Sequence, residues 1–306
     1  MLRVPSSRRA VPLAPEAMYP AQDASASARW VTLGDGERVR VVETGDVDAP
    51  PVVLLHGWGC SAFAWRYLAG PLAAAGWRAI AIDLRGHGLS DRPHDGAKYT
   101  RDAMIDHLEA TLDRLDIRRA PLVAHSMGGA LAMGLALRAP ARVDRLALFG
   151  PVGFGVVDRA AWSQLLPPSL TGALLPRRIP RWAVKFALQH SRGERGMSDE
   201  QEVDEYWAPT QFPDFLNAMR LLLHGFTWAP WTPTDLASVS QPLLLMFGDR
   251  DPVVRPQQVV PTLARCLPTA TLHVAHGAGH VVPEERPQWA LERLLPFLGE
   301  AGRLRG

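Results

Sequence analysis

Residues 121–137 carry the sequence PLVAHSMGGALAMGLAL, in which one serine separates two apolar runs. The first run is short and ends before Ser126, whereas the second is rich in Ala, Leu and Met. This order predicts a strand, a sharp turn and a helix. Ala124 and Gly128, the small residues two positions from Ser126, suit the strained backbone of such a turn, and the helix would direct its first N–H groups at a negative charge forming there. The stretch therefore predicts a serine nucleophile.

Bulk composition limits the other classes of function. The chain has 306 residues, 47% of them hydrophobic, which is enough for a large core in one domain with an insertion or in two domains. A formal net charge of +2 gives no electrostatic reason to expect a nucleic-acid partner. No apolar run approaches the length of a membrane span. Cys60 and Cys266 do not form a C-x-x-C pair, so they indicate free thiols in a reducing compartment.

Residues 1–28 are rich in Pro, Ala and Ser and are predicted to form a flexible or surface-draped arm. Ser7-Arg8-Arg9 loosely matches a twin-arginine signal. Prolines and acidic residues between positions 12 and 23 nevertheless interrupt the apolar segment that a signal peptide needs. A cytoplasmic location is therefore favoured over secretion.

The remaining chain alternates strands with helices. A hairpin is predicted around Gly34-Asp35-Gly36, and further strands are predicted at 51–55, 77–83, 145–149, 243–247 and 271–274. Apolar residues at helical spacing predict helices at 62–75, 101–116, 257–266 and 288–298. This alternation indicates a mostly parallel central sheet with helices on both faces.

The alternation breaks between residues 153 and 235, where short helical stretches, such as 181–190 and 214–224, occur without a convincing strand. An all-helical insertion in a parallel sheet is expected to cover the carboxyl ends of the strands, where open α/β sheets bind ligands. We therefore divide the chain into an arm (1–28), a core (29–152 and 236–306) and a helical cap (153–235). The residues expected to line a substrate pocket are His125, Trp162, Trp182, Trp207 and Trp228.

A serine hydroxyl needs a base, an acid that orients the base, and donors for the oxyanion. The favoured base is His280, in a glycine-rich loop after the strand 271–274. His276 is the second choice because it lies closer to the end of that strand. The favoured acid is Asp251, which follows the strand 243–247 with room to turn back, and Asp249 is the alternative.

Two backbone N–H groups are the expected oxyanion donors. One belongs to Met127, directly after the nucleophile. The other belongs to Trp58 in His56-Gly57-Trp58-Gly59, where glycines allow the backbone to approach a substrate closely.

Taken together, these motifs resemble the α/β-hydrolase superfamily, in particular its capped bacterial serine esterases and C–C hydrolases. Ser126, Asp251 and His280 follow the superfamily's order of nucleophile, acid and base. Further matching residues are Asp83–Ser90 and Glu285-Arg286-Pro287, whereas Ala124 replaces the first glycine of G-x-S-x-G. The resemblance covers about residues 29–300 and implies an α/β-hydrolase fold, without specifying the substrate.

The leading hypothesis is a hydrolase of small to medium hydrophobic carboxylic esters that acts through an acyl-enzyme, with no metal or organic cofactor. Alternatives with the same three residues are a C–C bond hydrolase, a lactonase or thioesterase, and a perhydrolase. A non-catalytic ligand-binding member of the fold is the alternative from another class. The expected partner is a small-molecule ester, and the oligomeric state is left open.

Overall fold

The computed structural model describes residues 11–154, 178–193 and 199–299. Within them, eight strands form one sheet in the order β1-β2-β4-β3-β5-β6-β7-β8. The strands are β1 Ala26–Thr32, β2 Arg38–Thr44, β3 Pro51–Leu55, β4 Arg78–Ile82, β5 Ala120–His125, β6 Val143–Phe149, β7 Leu243–Gly248 and β8 Thr271–Ala275. The pairs β1–β2 and β2–β4 are antiparallel, and all the other pairs are parallel.

Helices follow most of the strands and cover the sheet. In the core they are α1 Arg66–Ala74, α2 Arg101–Arg114, α3 Met127–Arg138, α8 Pro256–Cys266, α9 Val282–Glu285 and α10 Pro287–Leu298. Between residues 153 and 237 they are α4 Arg181–Ser191, α5 Glu200–Trp207, α6 Phe215–Gly225 and α7 Pro233–Ala237. Helices α5, α7 and α9 were not predicted from the sequence.

The sheet has a hydrophobic cluster on each face because successive side chains of a strand point to opposite sides. In β3, Val53 and Leu55 belong to the cluster that contains α2, α3 and α8. Val52 and Leu54 belong to the cluster that contains α1 and α10. The predicted fold class, a mostly parallel sheet between two helical layers, is confirmed.

The part of the N-terminal arm that the structure describes, residues 11–28, lies on the surface of the core and is held there at Met18 and Tyr19. Met18 and Tyr19 are buried, and the Tyr19 ring packs edge-on against Phe63. The Tyr19 N–H donates to both carboxylate oxygens of Glu205, at 2.9 and 3.1 Å. These contacts fix the segment on the core, and the chain enters β1 at Ala26. Composition had suggested an arm because the two anchoring residues are isolated among Pro, Ala and Ser.

The segment predicted as a cap leaves the core and returns to it at one place. The Trp231 N–H donates to the Gly153 carbonyl at 2.7 Å, so the two ends of the segment are adjacent. Helix α7 crosses the predicted boundary at residue 235. The described residues 178–193 and 199–235 contain helices and no strand. This arrangement is what an insertion requires, and its role as a cap stays a prediction.

Among residues 11–154, 178–193 and 199–299, no helix is both long enough and apolar enough to cross a membrane.

Candidate active site

Ser126 lies at the turn between β5 and α3, as the sequence predicted. Its backbone is in a strained region, with φ 53° and ψ −117°. The end of β3 passes so close to Gly128 that a side chain would not fit, since a Cβ at this position would lie 2.4 Å from the Leu55 carbonyl oxygen. Ala124 is fully buried in β5, and its methyl group belongs to the hydrophobic cluster that contains α2, α3 and α8. The replacement of glycine by Ala124 thus leaves the turn intact.

The structure brings Ser126, His280 and Asp251 into one chain of hydrogen bonds. The Ser126 Oγ lies 2.9 Å from Nε2 of His280, and Nδ1 of His280 lies 2.8 Å from Oδ2 of Asp251. A carboxylate only accepts, so Nδ1–H donates to Asp251 and Nε2 accepts from the serine hydroxyl. All three residues are buried. This arrangement can increase the nucleophilicity of a serine.

The Asp251 carboxylate is held from both sides. Its Oδ1 accepts the backbone N–H groups of Val253 and Val254 at 2.7 and 2.8 Å, while Oδ2 accepts from His280. The loop after β7 thereby turns the carboxylate back toward the base. This turn is the geometry that favoured Asp251 over Asp249 in the sequence.

His276 and Asp249, the alternatives for the base and the acid, form a separate pair at the surface. Nδ1 of His276 lies 2.7 Å from Oδ2 of Asp249, and the His276 side chain is 91% exposed. Asp249 also accepts the Gly277 N–H at 2.8 Å, so it holds the start of the loop that carries His280.

The expected oxyanion donors lie on the two loops that meet at Ser126. Gly57 approaches the nucleophile closely, since a Cβ on it would lie 3.1 Å from the Ser126 Cβ. Within the described residues, neither the Trp58 N–H nor the Met127 N–H donates to another protein group. Nδ1–H of His56 donates to the Gly57 carbonyl at 2.8 Å, and Nε2 accepts the Leu84 N–H. Burial lowers the pKa of His56, so a neutral ring holds this loop.

His125 has a different position from the one expected of a pocket residue. It is 4% exposed, and its Nε2–H donates to the His280 carbonyl at 2.9 Å. Burial, followed by the charge of a protonated His280, holds the pKa of His125 well below its usual value. The side chain therefore supports the loop that carries His280, called the base loop below (residues 276–281), because β5 places it against that loop.

The tryptophans expected in the pocket have different environments. Trp182 is 72% exposed on α4, which corrects its assignment, since a side chain in solvent cannot enclose a substrate. Trp207 is buried and donates its indole N–H to the Ile179 carbonyl at 2.8 Å. Trp228 is half-buried against Phe226. For Trp207 and Trp228 the pocket role stays a prediction, and Trp162 lies outside the described residues.

Sequence reasoning missed the residues that hold the base loop in place. The Glu285 carboxylate accepts N–H groups from Gly279 and Gly193, and the Ser191 carbonyl accepts the His280 N–H. Glu285 was noted only as part of a motif behind the base. Ser191 acts through its backbone, so its residue type carried no signal.

Comparisons with known proteins identify the family of this chain. Residues 50–287 match the family model described as the alpha/beta hydrolase fold. The chain belongs to this family. It is therefore a hydrolase, and its family acts on small-molecule substrates.

Two relatives illustrate the range of chemistry in the family. The 2-hydroxymuconate semialdehyde hydrolase of Pseudomonas putida is 31% identical to this chain, over 89% of the chain and 94% of that protein. The carboxylesterase YbfK of Bacillus subtilis is 27% identical, over 85% of the chain and 84% of that protein. The crystal structure of this carboxylesterase superposes with a TM-score of 0.75, covering 93% of the chain and 94% of the solved chain at 23% identity, which supports the fold.

The part of the chain that the structure describes contains no candidate metal site. No three His, Cys, Asp or Glu side chains there are grouped so that they could hold a metal ion. That the reaction uses no cofactor stays a prediction.

Proposed function

We propose that the protein is a serine hydrolase that cleaves carboxylic esters of small to medium hydrophobic acids through an acyl-enzyme. The observation that carries this proposal is the buried chain of hydrogen bonds from Ser126 through His280 to Asp251. Within the described residues, the N–H groups of Trp58 and Met127 donate to no protein group, which leaves them available to a substrate oxygen.

In the proposed reaction, the Ser126 oxygen attacks the ester carbonyl while Nε2 of His280 takes the hydroxyl proton. Asp251 stabilises the imidazolium and holds its orientation. The N–H groups of Trp58 and Met127 donate to the oxyanion of the tetrahedral intermediate. His280 then returns the proton to the leaving alcohol, and the acyl group remains on Ser126.

The second half of the reaction repeats these roles with water. His280 removes a proton from a water molecule, which attacks the acyl carbonyl. Collapse of the new intermediate releases the carboxylic acid and restores the Ser126 hydroxyl, so the enzyme is unchanged after one turnover.

A C–C bond hydrolase is the second candidate because relatives at 30–32% identity bear such names. An acidic diketone substrate would need a cation directed at its carboxylate, and the candidates that we consider in the cap segment 153–235 are Arg181, Arg192 and Arg195. Two candidate cations of the cap segment are already paired: Arg181 with Glu200 and Asp204, and Arg192 with Glu202. The third candidate, Arg195, lies outside the described residues. These pairings favour an uncharged ester.

A panel of p-nitrophenyl esters tests the proposal, with a 2-hydroxy-6-oxo-dienoate as the C–C substrate. Burial of an acyl chain contributes about 0.8 kcal/mol per CH₂, so kcat/KM should rise up to about fourfold per methylene until the pocket is full. We expect a medium-chain optimum and poor activity on the palmitate ester. Ser126→Ala should abolish turnover. Faster cleavage of the dienoate than of every ester would support the C–C hydrolase instead.

A further inference from the structure

The base loop is hydrogen-bonded to the segment 153–235 at His280 itself. The His280 N–H donates to the Ser191 carbonyl at 2.7 Å, and Ser191 is the last residue of α4. On the opposite side, Nε2–H of His125 donates to the His280 carbonyl at 2.9 Å. The two backbone polar groups of His280 are thus held by different parts of the fold.

Glu285 joins the same two segments through its carboxylate. Oε2 accepts the Gly193 N–H at 2.9 Å, while the Gly279 N–H lies 2.9 Å from Oε1 and 3.0 Å from Oε2. One side chain therefore bonds the residue before His280 and a residue two positions after Ser191. Burial raises the pKa of Glu285, and these backbone donors partly oppose that shift.

Three glycines allow the backbones to meet without side chains between them. A Cβ on Gly193 would lie 2.4 Å from the Gly277 carbonyl oxygen, and a Cβ on Gly279 would lie 2.4 Å from the Gly193 nitrogen. A Cβ on Gly248 would lie 2.2 Å from the Gly279 carbonyl oxygen. Gly248 ends β7 directly before the loop that carries Asp251. The end of α4, the base loop and the end of β7 therefore pack against one another through their backbones.

We propose that this junction, made by Ser191, Gly193 and Glu285, positions the His280 imidazole, so that the cap segment sets the alignment of the base with Ser126. The proposal rests on the proposed function of Ser126 and His280. Ser191, Gly193 and Glu285 are positioning residues, because they act through the His280 backbone. A shift of about 1 Å in a reacting group can lower a rate by about 10²-fold, so a small displacement of this junction has a measurable effect.

Gly193→Ala tests the junction, because its Cβ would meet three backbone atoms of the base loop, at 2.4 to 2.6 Å. The matched control is Gly70→Ala, where an added Cβ meets nothing within 4 Å. We expect Gly193→Ala to lower kcat for the best ester by about 10- to 100-fold with little change in KM, and Gly70→Ala to leave both unchanged. Wild-type kcat in Gly193→Ala would overturn the proposal.

Glu285→Gln provides a second variant in case Gly193→Ala fails to fold. It keeps the shape of the side chain but places an NH₂ group where a carboxylate oxygen now accepts an N–H. We expect a lower kcat, a shifted acid limb of the pH–kcat profile, and circular dichroism like that of the wild type. An unchanged profile and kcat would contradict a positioning role.

A readout independent of the substrate separates this proposal from the proposed function. Proteins labelled with ¹⁵N-histidine are compared by NMR, with the His280 signals assigned by their loss in His280→Gln. We expect the ring-nitrogen shifts of His280 to change in Gly193→Ala and Glu285→Gln and to stay constant in Gly70→Ala. If these shifts respond while no ester is turned over, the positioning role stands and the proposed ester chemistry fails. If they stay constant in both junction variants, the positioning role is wrong, whatever the substrate.

Discussion

Among the residues that the structure describes, two aspartate–histidine pairs join the loops after β7 and β8, and one of these pairs bonds a serine. Asp249 and His276 lie 2.7 Å apart, and Asp251 and His280 lie 2.8 Å apart. The His276 side chain is 91% exposed, whereas the His280 side chain is 9% exposed and that of Asp251 is fully buried. Bond length therefore does not distinguish the pairs, but solvent access does.

The comparison shows what a hydrogen bond needs before it can support catalysis. Charges interact more strongly away from water, and an exposed pair contributes little because solvent screens it. The buried pair also has Ser126 on the free nitrogen of its imidazole. The exposed pair instead anchors the loop through the Gly277 N–H. We therefore expect substitutions in the two pairs to differ by orders of magnitude.

The largest difference is expected between the histidines. His280→Gln removes the base, and loss of the base in a comparable serine enzyme costs about 10⁶-fold in kcat. His276→Gln removes an exposed partner worth at most about 1 kcal/mol, so kcat should change by less than about fivefold. Steady-state kinetics on one ester measures both variants. A large loss in His276→Gln with a small one in His280→Gln would reverse the assignment.

The acids should follow the same order with a smaller effect. Asp251→Asn leaves the histidine without its carboxylate and should lower kcat by about 10⁴-fold, as in the serine proteases. Asp249→Asn should cost far less, because it loses only the surface pair and weakens the bond to Gly277. If Asp249→Asn proved the more damaging change, Asp251 would be the wrong acid.

Crowding of the buried pair should have an intermediate effect. A Cβ on Gly150 would lie 3.1 Å from Oδ2 of Asp251 and 3.2 Å from Nδ1 of His280, at a φ of +45°. We expect Gly150→Ala to lower kcat by about 10²-fold through displacement of the pair. Gly36→Ala is the matched control, since its φ is +86° and its Cβ would meet nothing within 4 Å. Equal kcat values in the two variants would show that contact with the pair is unimportant.

The difference between the two pairs also marks what the sequence could predict. The strands, the serine turn and the loops of the two acids and two histidines follow from apolar runs and glycines. The preference for Asp251 and His280 came from their distance beyond the strand ends. Burial depends on the whole fold, so the environments of Trp182 and His125 could not be predicted from local sequence.

Backbone partners were equally hidden from sequence analysis. The Ser191 carbonyl contacts the base loop through a group that every residue carries, and the Gly193 N–H through a group that every residue except proline carries. Tyr19 is fixed by Glu205, which is far away in the chain, so composition alone could not decide between a flexible and a surface-draped arm. Pairings over such separations depend on packing rather than on local pattern.

The smallest expected effect concerns the cost of burying a histidine outside the site. Burial lowers the pKa of His107 to about 3, and the charge of Arg85 acts in the same direction. The unfolded chain therefore takes up a proton below about pH 6.5 that the folded protein does not, so stability falls as the pH falls from about 6.5 toward 3. His107→Gln should flatten the slope of the unfolding free energy by up to about 1.4 kcal/mol per pH unit in this window.

Urea unfolding across this pH range measures the slope, and equal slopes in both proteins would contradict the prediction. Above pH 7 the slopes should agree, because the ring is neutral in both states.

The central claim is that the buried pair activates Ser126, and covalent labelling with a fluorophosphonate tests it most directly. The reagent phosphonylates an activated serine, and peptide mass spectrometry locates the adduct. We predict one adduct, on Ser126, formed at the wild-type rate in His276→Gln and slowed by about 10³-fold or more in His280→Gln. An adduct on another residue, or labelling of Ser126 that is equally fast in His280→Gln, would contradict the account.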